Sequence, residues 1–297
     1  MSRFNVPVLA GIGLVAFGAV VYGLDSWRSG HRGGQIDYIL KNARQITTID
    51  VPPLADGELV IATDVPMPGA TITDPDLGFS VEALSYSRSV EILQWREYKD
   101  TSSGQTQYSY QKEWVGSPIS SASFDSLRYR NYGSLPFRDR TIRAEEVTFG
   151  DLKLDKAFFS SFPSSSRLNV SREMYDTMPN YFQQRFAIVD GGLFPNRSPE
   201  IGDIRVRFTA VQPRQSTVVG AYSGGKIVPA KTEAGEIAIL REGNLSLDEL
   251  ADAEKSSNRN VGIFLKIVAA MLAVGGVVLA GIGIRQGGSV VPARSRA

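Results

Sequence analysis

Two long runs of apolar residues lie near the two ends of the chain. Residues 6–24 contain no charged side chain, and residues 261–284 contain only Lys266. Each run is long enough to cross about 30 Å of hydrocarbon as a helix, and Lys266 is near enough to the end of its run for its side chain to reach the headgroups. The pattern predicts an integral membrane protein with one transmembrane helix at each end.

The first run could instead be the apolar core of a cleaved signal peptide. The tripeptide Ala16-Phe17-Gly18 offers a small-x-small site, but only Arg3 precedes the run and the apolar residues continue past that site. We therefore favour a retained span. Tyr22 and Trp27 fit an aromatic anchor at its far end.

Small residues recur in both spans. We take six of them as candidate helix-packing positions: Ala19, Gly23, Ala269, Ala273, Gly276 and Ala280. A spacing of four lets helix backbones approach closely, although glycine and alanine are common in membrane helices generally. The spacing favours pairing of the spans or self-association of the chain.

After the first span, the pattern predicts a linker and a short amphipathic helix. Residues 29–34 are rich in glycine, serine and arginine, which is typical of a flexible linker. In residues 35–47 the apolar side chains fall on one helical face, and Pro52 and Pro53 exclude a longer helix. We assign residues 25–56 to this linker and helix.

From residue 58 onward, apolar and polar residues alternate with a period of two, which is typical of strands. The alternating segments are residues 59–62, 90–95, 108–114, 204–208, 218–221, 226–228 and 236–240. A polar stretch around Gly104 separates the second and third segments and predicts a hairpin. Residues 127–180 are less regular, and we expect loops and short helices there. The pattern predicts an α+β chain whose β-rich domain, residues 57–245, is sandwich-like or barrel-like.

A capping motif precedes the second span. Glu249 follows Ser246 at the spacing of a capping box, and an amphipathic run begins there. The motif predicts a juxtamembrane helix over residues 246–260 that leads into the transmembrane helix over residues 261–284. Residues 285–297 form a short tail.

The charges are distributed unevenly, although the formal net charge is only +1. Residues 25–260 hold 27 basic and all 31 acidic residues, a net of −4. Nucleic-acid binding requires a concentrated basic face, so we expect no nucleic-acid partner. The two tails carry only basic residues, which favours a cytoplasmic position for both tails and an extracytoplasmic position for the domain. Four basic residues close behind the first span weaken this inference: Arg28, Arg32, Lys41 and Arg44.

The sequence holds few side chains suited to catalysis. It has no cysteine, which excludes disulfides, thiol catalysis and cysteine-ligated metals, and its single histidine, His31, excludes multi-histidine sites. It also lacks phosphate-loop, dinucleotide-binding and nucleophile-elbow motifs. Asp74-Pro75-Asp76 could offer carboxylates to calcium, but a turn is the better interpretation because the other ligands of a calcium loop are missing. We predict no catalytic, cofactor-binding or metal-binding residue, and no enzyme.

Aromatic residues are concentrated between residues 86 and 114. We take Trp95, Tyr98 and Trp114 as a candidate interaction surface, for example an apolar cleft that faces the membrane. The simpler alternative assigns them to the core and surface of a sheet.

Several separated blocks of residues resemble the transmembrane protein 43 (LUMA) family, in the order of that family. The blocks are Gly57-Glu58-Leu59, Asp74-Pro75 with Gly78, Val90-Glu91-Ile92-Leu93-Gln94-Trp95-Arg96-Glu97, Tyr108-Ser109-Tyr110, Glu113-Trp114, Pro199-Glu200-Ile201-Gly202-Asp203-Ile204-Arg205-Val206 and Gly243-Asn244-Leu245-Ser246. The resemblance covers most of residues 57–284.

This resemblance implies an amino-terminal span, a large domain on the lumenal or extracytoplasmic side, and carboxy-terminal spans. Eukaryotic members of the family sit in the endoplasmic reticulum and inner nuclear membrane, where they are thought to self-associate and to organise membrane and partner proteins. The resemblance transfers no catalytic residue. The sequence differs from the animal proteins because one span, rather than several, precedes its short tail. This difference favours a bacterial member with a periplasmic domain; a eukaryotic member would place the domain in the lumen of the endoplasmic reticulum or nuclear envelope.

The leading functional hypothesis is an integral membrane scaffold that organises membrane or partner proteins through self-association and its extracytoplasmic domain. Its expected partners are membrane lipid, further copies of the chain and other membrane proteins. One alternative is an enzyme at the membrane surface that uses Asp, Glu, Ser or Lys side chains. Another is a lipid-binding or sensing module.

Overall fold

The computed structural model describes residues 6–102 and 104–287. The elements, in chain order, are α1 (Val6–Asn42), β1 (Arg44–Gln45), β2 (Leu59–Asp64), β3 (Pro66–Pro68), β4 (Ile72–Thr73), β5 (Ser80–Val81), β6 (Ser85–Asp100), β7 (Gln107–Val115), β8 (Arg140–Arg143), β9 (Val147–Phe149), β10 (Leu152–Leu154), a 3-10 helix (Lys156–Ser161), β11 (Ser166–Arg167), α2 (Arg172–Asp176), α3 (Asn180–Arg185), β12 (Phe186–Val189), β13 (Gly192–Pro195), β14 (Ile204–Val211), β15 (Ser216–Ser223), β16 (Lys226–Val228), β17 (Ala230–Thr232), β18 (Gly235–Ile237), β19 (Ile239–Glu242) and α4 (Leu247–Gly287). Two long helices therefore enclose a β-rich domain in the sequence.

The two long helices pack against each other in antiparallel fashion. Three contacts define their register, and they pair Gly11 with Gly276, Gly18 with Ala269 and Asp25 with Gly262. Residues seven apart return to the same face of a helix after about two turns, so these contacts form one continuous seam. A Cβ atom at Gly276 would lie 2.5 Å from the carbonyl oxygen of Gly11, so only glycine fits at this crossing.

Strands of the domain form two large open sheets. The eight-stranded sheet has the order β1-β2-β15-β16-β10-β9-β3, with β19 also paired to β15. The seven-stranded sheet has the order β12-β13-β14-β6-β7, with β11 paired to β14 and β8 paired to β6. The chain passes between the two large sheets four times: from β3 through β4 and β5 to β6, from β8 to β9, from β10 to β11 and from β14 to β15. The α+β class is confirmed, and in the described residues none of the sheets closes into a barrel.

Strand β2 explains how the eight-stranded sheet is covered on both faces. Val60 and Ala62 belong to one buried apolar cluster, and Leu59 and Ile61 belong to another. Because successive strand residues point to opposite faces, both faces of this sheet are buried, which accounts for the continuous apolar run in the strand. A third cluster covers the seven-stranded sheet together with α2 and α3.

The long helices extend out of the apolar spans and into the domain. Ile39 of α1 and Leu250 of α4 are buried in the same cluster as Leu59 and Ile61. The helical pair and the eight-stranded sheet therefore share a core.

The predicted linker over residues 29–34 is helical in the structure, so the separate amphipathic helix is the end of α1. Glycine and serine lower helix propensity, but packing against α4 and ion pairs outweigh that local cost. Likewise, the juxtamembrane helix and the second span form one helix. The capping box is confirmed, since the backbone N–H of Ser246 donates to Glu249 Oε2 at 2.9 Å and the N–H of Glu249 donates to Ser246 Oγ at 3.3 Å.

The hairpin around Gly104 is confirmed by the pairing of β6 with β7. Residues 236–240 form parts of two strands, β18 and β19, instead of one strand. Within residues 127–180, the structure contains short strands as well as the expected loops and short helices. Most of the predicted tail, residues 285–297, lies outside the described residues.

Candidate functional site

A polar site lies where the helical pair leaves its apolar spans. On α1, Asp25 and Arg32 continue the seven-residue spacing of the glycine seam. The antiparallel register places Asp25 beside Gly262 and Arg32 beside Glu254 of α4. Inside the spans, the seam between the helices is packed with small residues. At the junction with the domain, the same seam contains charged residues.

Glu254 joins three elements at this junction. Its Oε2 accepts a hydrogen bond from Arg32 Nη2 of α1 at 2.6 Å, and its Oε1 accepts one from Arg241 Nε of β19 at 2.5 Å. Burial opposes ionisation of this carboxyl, but the hydrogen bonds from Arg241 and Arg32 outweigh it and lower the pKa of Glu254 below its ordinary value. Glu254 is therefore a carboxylate at neutral pH that joins both helices to the eight-stranded sheet.

A second ion pair lies one turn closer to the spans. Arg28 Nη2 donates to Asp25 Oδ1 at 3.1 Å and to the carbonyl oxygen of Asn258 at 3.2 Å. The Asn258 amide donates to the carbonyl oxygen of Ser29 at 3.4 Å. Two buried polar atoms in this group have no hydrogen-bond partner among the described residues: Arg28 Nε and Asn258 Oδ1.

The turn between β17 and β18 contacts α1 directly. Gln35 Nε2 donates to the carbonyl oxygen of Glu236 at 2.9 Å. His31 stacks on Trp27 with ring centroids 5.6 Å apart, and a Cβ atom at Gly235 would lie 2.8 Å from His31 Nε2. The glycine at this turn therefore permits the domain to approach the helix closely.

These groups surround a cavity of about 420 Å³ at the junction. Its lining contains three guanidinium groups, those of Arg28, Arg32 and Arg241, and the carboxylate of Glu254. Asp25 balances Arg28, so the junction as a whole carries one unit of net positive charge. Charged groups therefore dominate the lining of this cavity, and two of its lining residues, Arg28 and Asn258, each contain one buried side-chain atom without a hydrogen-bond partner among the described residues.

The three predicted aromatic residues do not form a common cleft. Trp95 lies opposite Lys112 and Trp114 opposite Leu93 in the β6–β7 ladder, so the alternation of side chains places both indoles on one face and Tyr98 on the other. Trp95 packs against Tyr129 at a centroid distance of 4.8 Å.

The other two aromatic residues have separate partners. Trp114 packs against Phe194 and lies under the guanidinium of Arg205, 4.8 Å from its ring centroid. Tyr98 is exposed and its hydroxyl donates to Glu113. Each of the three residues is thus part of a local contact on the seven-stranded sheet.

The six predicted helix-packing residues divide between two surfaces. Ala269 and Gly276 are buried in the seam, and Ala273 and Ala280 border it against Gly18 and Gly11. Ala19 and Gly23 are exposed, and a Cβ atom at Gly23 would meet no atom within 4 Å. The two glycines that α1 contributes to the seam, Gly11 and Gly18, are not among the six predicted positions because that prediction relied on a spacing of four. The signal that would have found them is the spacing of seven.

The Asp74 segment forms a turn, as expected. The Oδ1 atom of Asp74 accepts hydrogen bonds from the backbone N–H groups of Asp76 and Leu77, at 2.9 and 3.0 Å. The carboxylates of Asp74 and Asp76 both pair with the buried guanidinium of Arg88. Tyr86 donates its hydroxyl to Asp74 Oδ2 at 2.8 Å. Burial, reinforced by this carboxylate, raises the pKa of Tyr86 well above its ordinary value. The carboxylates stabilise the core, and among the described residues no group of three or more His, Asp or Glu side chains is placed to hold a metal ion.

The long apolar helices, the packed seam between them and the shared core with the sheet define an integral membrane protein with a β-rich extramembrane domain. A family model described as transmembrane protein 43 matches residues 92–293. The chain belongs to the transmembrane protein 43 family.

Curated relatives agree with this assignment. Transmembrane protein 43 of Rattus norvegicus and that of Homo sapiens are each 25% identical to the chain over 232 residues, which is 70% of this chain and 56% of theirs. The Drosophila melanogaster homolog is 25% identical over 213 residues, 66% of this chain and 54% of its own. The chain thus spans about half the length of the curated relatives it matches. No solved structure matches the chain.

Proposed function

We propose that the chain is a membrane scaffold that organises membrane or partner proteins through self-association and an extracytoplasmic domain. The observation that carries the proposal is the outer face of α1, where Ala19 and Gly23 lie side by side, exposed and directed away from α4. Small residues four apart allow close helix contact in a membrane. Because the seam within the chain uses other residues, this face is open to a second copy.

The coupling between spans and domain supports the same proposal. Glu254, together with Ile39 and Leu250, ties both helices to the eight-stranded sheet. Association of spans in the membrane would therefore place the attached domains at a defined distance and orientation. We propose that both tails lie in the cytoplasm, that the partners are lipid, further copies and other membrane proteins, and that the chain is not an enzyme.

The first experiment is the mass of the detergent-extracted complex with native lipids retained. We expect a defined homo-oligomer. The same chain in intact membranes should be cross-linked at Gly23, which can be tested by Gly23→Cys because the natural sequence contains no cysteine. Leu24→Cys is the matched control, since it lies at the same depth and points about 100° away around the helix.

Disulfide-linked dimers from Gly23→Cys but not from Leu24→Cys would support the proposed face. A monomeric mass combined with no cross-linking at Gly23 would rule out self-association through α1. Turnover of a substrate by the purified chain would contradict the non-enzymatic part of the proposal.

A further inference from the structure

One face of the seven-stranded sheet is turned away from the apolar core of that sheet. In β6 and β14, every second side chain belongs to this core, including those of Val90 and Val206. Side chains alternate along a strand, so the residues between them point to the other face. The pairing of β8 with β6 and of β11 with β14 extends this face across four strands. It carries four arginines, and we call it the basic face: Arg143, Arg167, Arg205 and Arg207.

Three of the four guanidinium groups on the basic face have no partner. Arg205 donates to Glu91 Oε2 at 2.7 Å, but the other three are exposed and form no hydrogen bond or ion pair with any described residue. Arg167 and Arg207 line one shallow depression together with Asp190, which forms no ion pair with either. Four arginines and the two carboxylates give a net charge of +2, whereas the segment between the spans carries a net of −4.

Hydroxyl groups occupy the positions between these arginines. One row across β11, β14, β6 and β8 consists of Arg167, Thr209, Ser87 and Thr141. The Oγ atom of Ser87 lies 2.8 Å from Oγ1 of Thr141, in agreement with a shared face. Ser89 lies opposite Arg207 in the next row and is exposed. The basic face therefore combines unpaired cations with hydroxyl groups.

This combination favours one class of polyanion. A protein partner binds chiefly through apolar and aromatic anchors seated in pockets, and rows of serine and threonine do not provide them. The membrane that the chain spans is also a poor fit. The long helices share a core with the eight-stranded sheet, whereas the core of the seven-stranded sheet contains no described residue of either helix. A sugar polymer with acidic groups offers both hydroxyls and anions.

We infer that the basic face binds an acidic polysaccharide. Its carboxylate, sulfate or phosphate groups accept hydrogen bonds from Arg143, Arg167 and Arg207, and its hydroxyl groups bond with Ser89 and Thr209. The cations are spread over four strands, so the face suits an extended polymer better than a single sugar. This inference does not depend on self-association of the chain.

Polymer binding to the full-length chain in phosphatidylcholine nanodiscs tests the inference. The immobilised chain is titrated with heparin, polygalacturonate or neutral dextran, and binding is followed by biolayer interferometry at several salt concentrations. We expect the acidic polymers to bind and dextran not to bind. Affinity should fall as the salt concentration rises, because exposed charges are screened. The tighter of the two acidic polymers shows whether sulfate or carboxylate is preferred.

Two double variants that remove equal charge locate the site. Arg167→Gln/Arg207→Gln should weaken heparin binding about tenfold, the effect of losing two exposed ion pairs. Arg172→Gln/Arg185→Gln is the matched control, because both residues are exposed on α2 and α3, which pack against the core side of the same sheet. The control should change the affinity by less than about twofold. Thermal midpoints of all variants show whether the fold is retained.

A third double variant tests the hydroxyl groups at constant charge. Ser89→Ala/Thr209→Val should weaken heparin binding about threefold, because each hydroxyl makes a hydrogen bond that competes with water. The dependence on salt should stay as in the natural sequence, since no charge is removed. Unchanged affinity in this variant would contradict recognition of sugar hydroxyls and overturn the assignment to a polysaccharide.

Three further results would overturn the inference. The first is no binding of either acidic polysaccharide at physiological salt. The second is an equal loss in the two double arginine variants, which would mean that overall charge attracts the polymer. The third is binding of polyglutamate or phosphatidylglycerol vesicles as tight as that of heparin, with the same loss in Arg167→Gln/Arg207→Gln. That result would assign the basic face to an acidic protein or to a membrane surface instead.

Discussion

At the residue scale, Glu254 is ionised although its side chain is only 2% exposed. Two guanidinium groups from different elements compensate for its lost hydration. A buried carboxylate with partners on both oxygens contributes little to folding compared with an apolar residue, but removal of its charge leaves its partners uncompensated. Substitution of Glu254 by a neutral residue should therefore lower the free energy of unfolding more than substitution of an exposed carboxylate.

We expect Glu254→Gln to lower the free energy of unfolding by about 2 kcal/mol at neutral pH, a value below the usual range because both arginines are partly exposed. The thermal midpoint in detergent should fall by about 5 °C. Asp252→Asn, an exposed carboxylate on the same helix, is the control and should change little. Equal effects of the two substitutions would contradict the role given to Glu254.

Acid should remove the contribution of Glu254. Its pKa is lowered in the folded state, so its stabilisation is fully present above the ordinary carboxyl value of 4.5 and is lost as the pH falls through the folded-state pKa. The difference in thermal midpoint between the natural sequence and Glu254→Gln should be constant near neutrality and shrink below pH 4.5. A difference that stays constant into acid would mean that the charge of Glu254 is not involved.

The core of the seven-stranded sheet offers a second residue-scale prediction. Tyr86→Phe leaves the buried carboxylate of Asp74 without one of its hydrogen bonds, so we expect a loss of about 2 kcal/mol in unfolding free energy. Tyr108→Phe changes an exposed tyrosine of the neighbouring strand and should cost less than about 0.5 kcal/mol. Chemical denaturation of both variants, followed by tryptophan fluorescence, measures the two values.

At the scale of elements, the helical seam depends on backbone contact rather than on large side chains. Gly11→Ala should destabilise the pair by about 2 kcal/mol, because its Cβ atom would clash with the carbonyl oxygen of Gly276. Gly13→Ala should be neutral or slightly stabilising, since no atom lies within 4 Å of that Cβ and alanine favours the helix. Thermal unfolding in detergent, followed by far-UV circular dichroism, compares them; the opposite order would contradict this register.

Contact between the β17–β18 turn and α1 gives a second prediction at this scale. Gly225 and Gly235 both have positive φ, at +81° and +100°, so alanine at either position should cost about 1 kcal/mol. Only Gly235→Ala also collides with His31 and should cost more. The added substitution His31→Ala should remove only this additional loss, so that the cost of Gly235→Ala falls to that of Gly225→Ala, and it should not reduce the cost of Gly225→Ala, as measured by thermal midpoint.

At the scale of the whole molecule, the spans and the domain behave as one packed unit with a single proposed orientation. A membrane-impermeant maleimide applied to intact cells should label Gln105→Cys in the exposed β6–β7 turn, and should label Ser2→Cys only after lysis. The natural chain has no cysteine and is the blank. If only Ser2→Cys were labelled in intact cells, the tails would lie outside the cytoplasm and the proposed topology would be wrong.

Much of the outline is already present in local sequence. The two spans follow from uninterrupted apolar runs, the start of α4 follows from Ser246 and Glu249, and the β6–β7 hairpin follows from alternation around Gly104. Each of these features depends on residues within a few turns or one strand of each other, so propensity and periodicity are sufficient to predict them. The family assignment likewise follows from ordered blocks of residues, and the bacterial source stays a prediction.

Only the tertiary structure determines the arrangement of side chains at the junction between the helical pair and the domain. The segment over residues 29–34 is helical because residues distant in sequence hold it in place: Arg32, within the segment, pairs with Glu254, and Gln35, next to it, donates to the carbonyl oxygen of Glu236. The register of the helical pair likewise depends on which small residues meet across the seam. A spacing of seven marks one face of α1, but no local signal shows which residues of α4 or of the sheet meet that face, so the cavity and its ion pairs could be found only once the chain was folded.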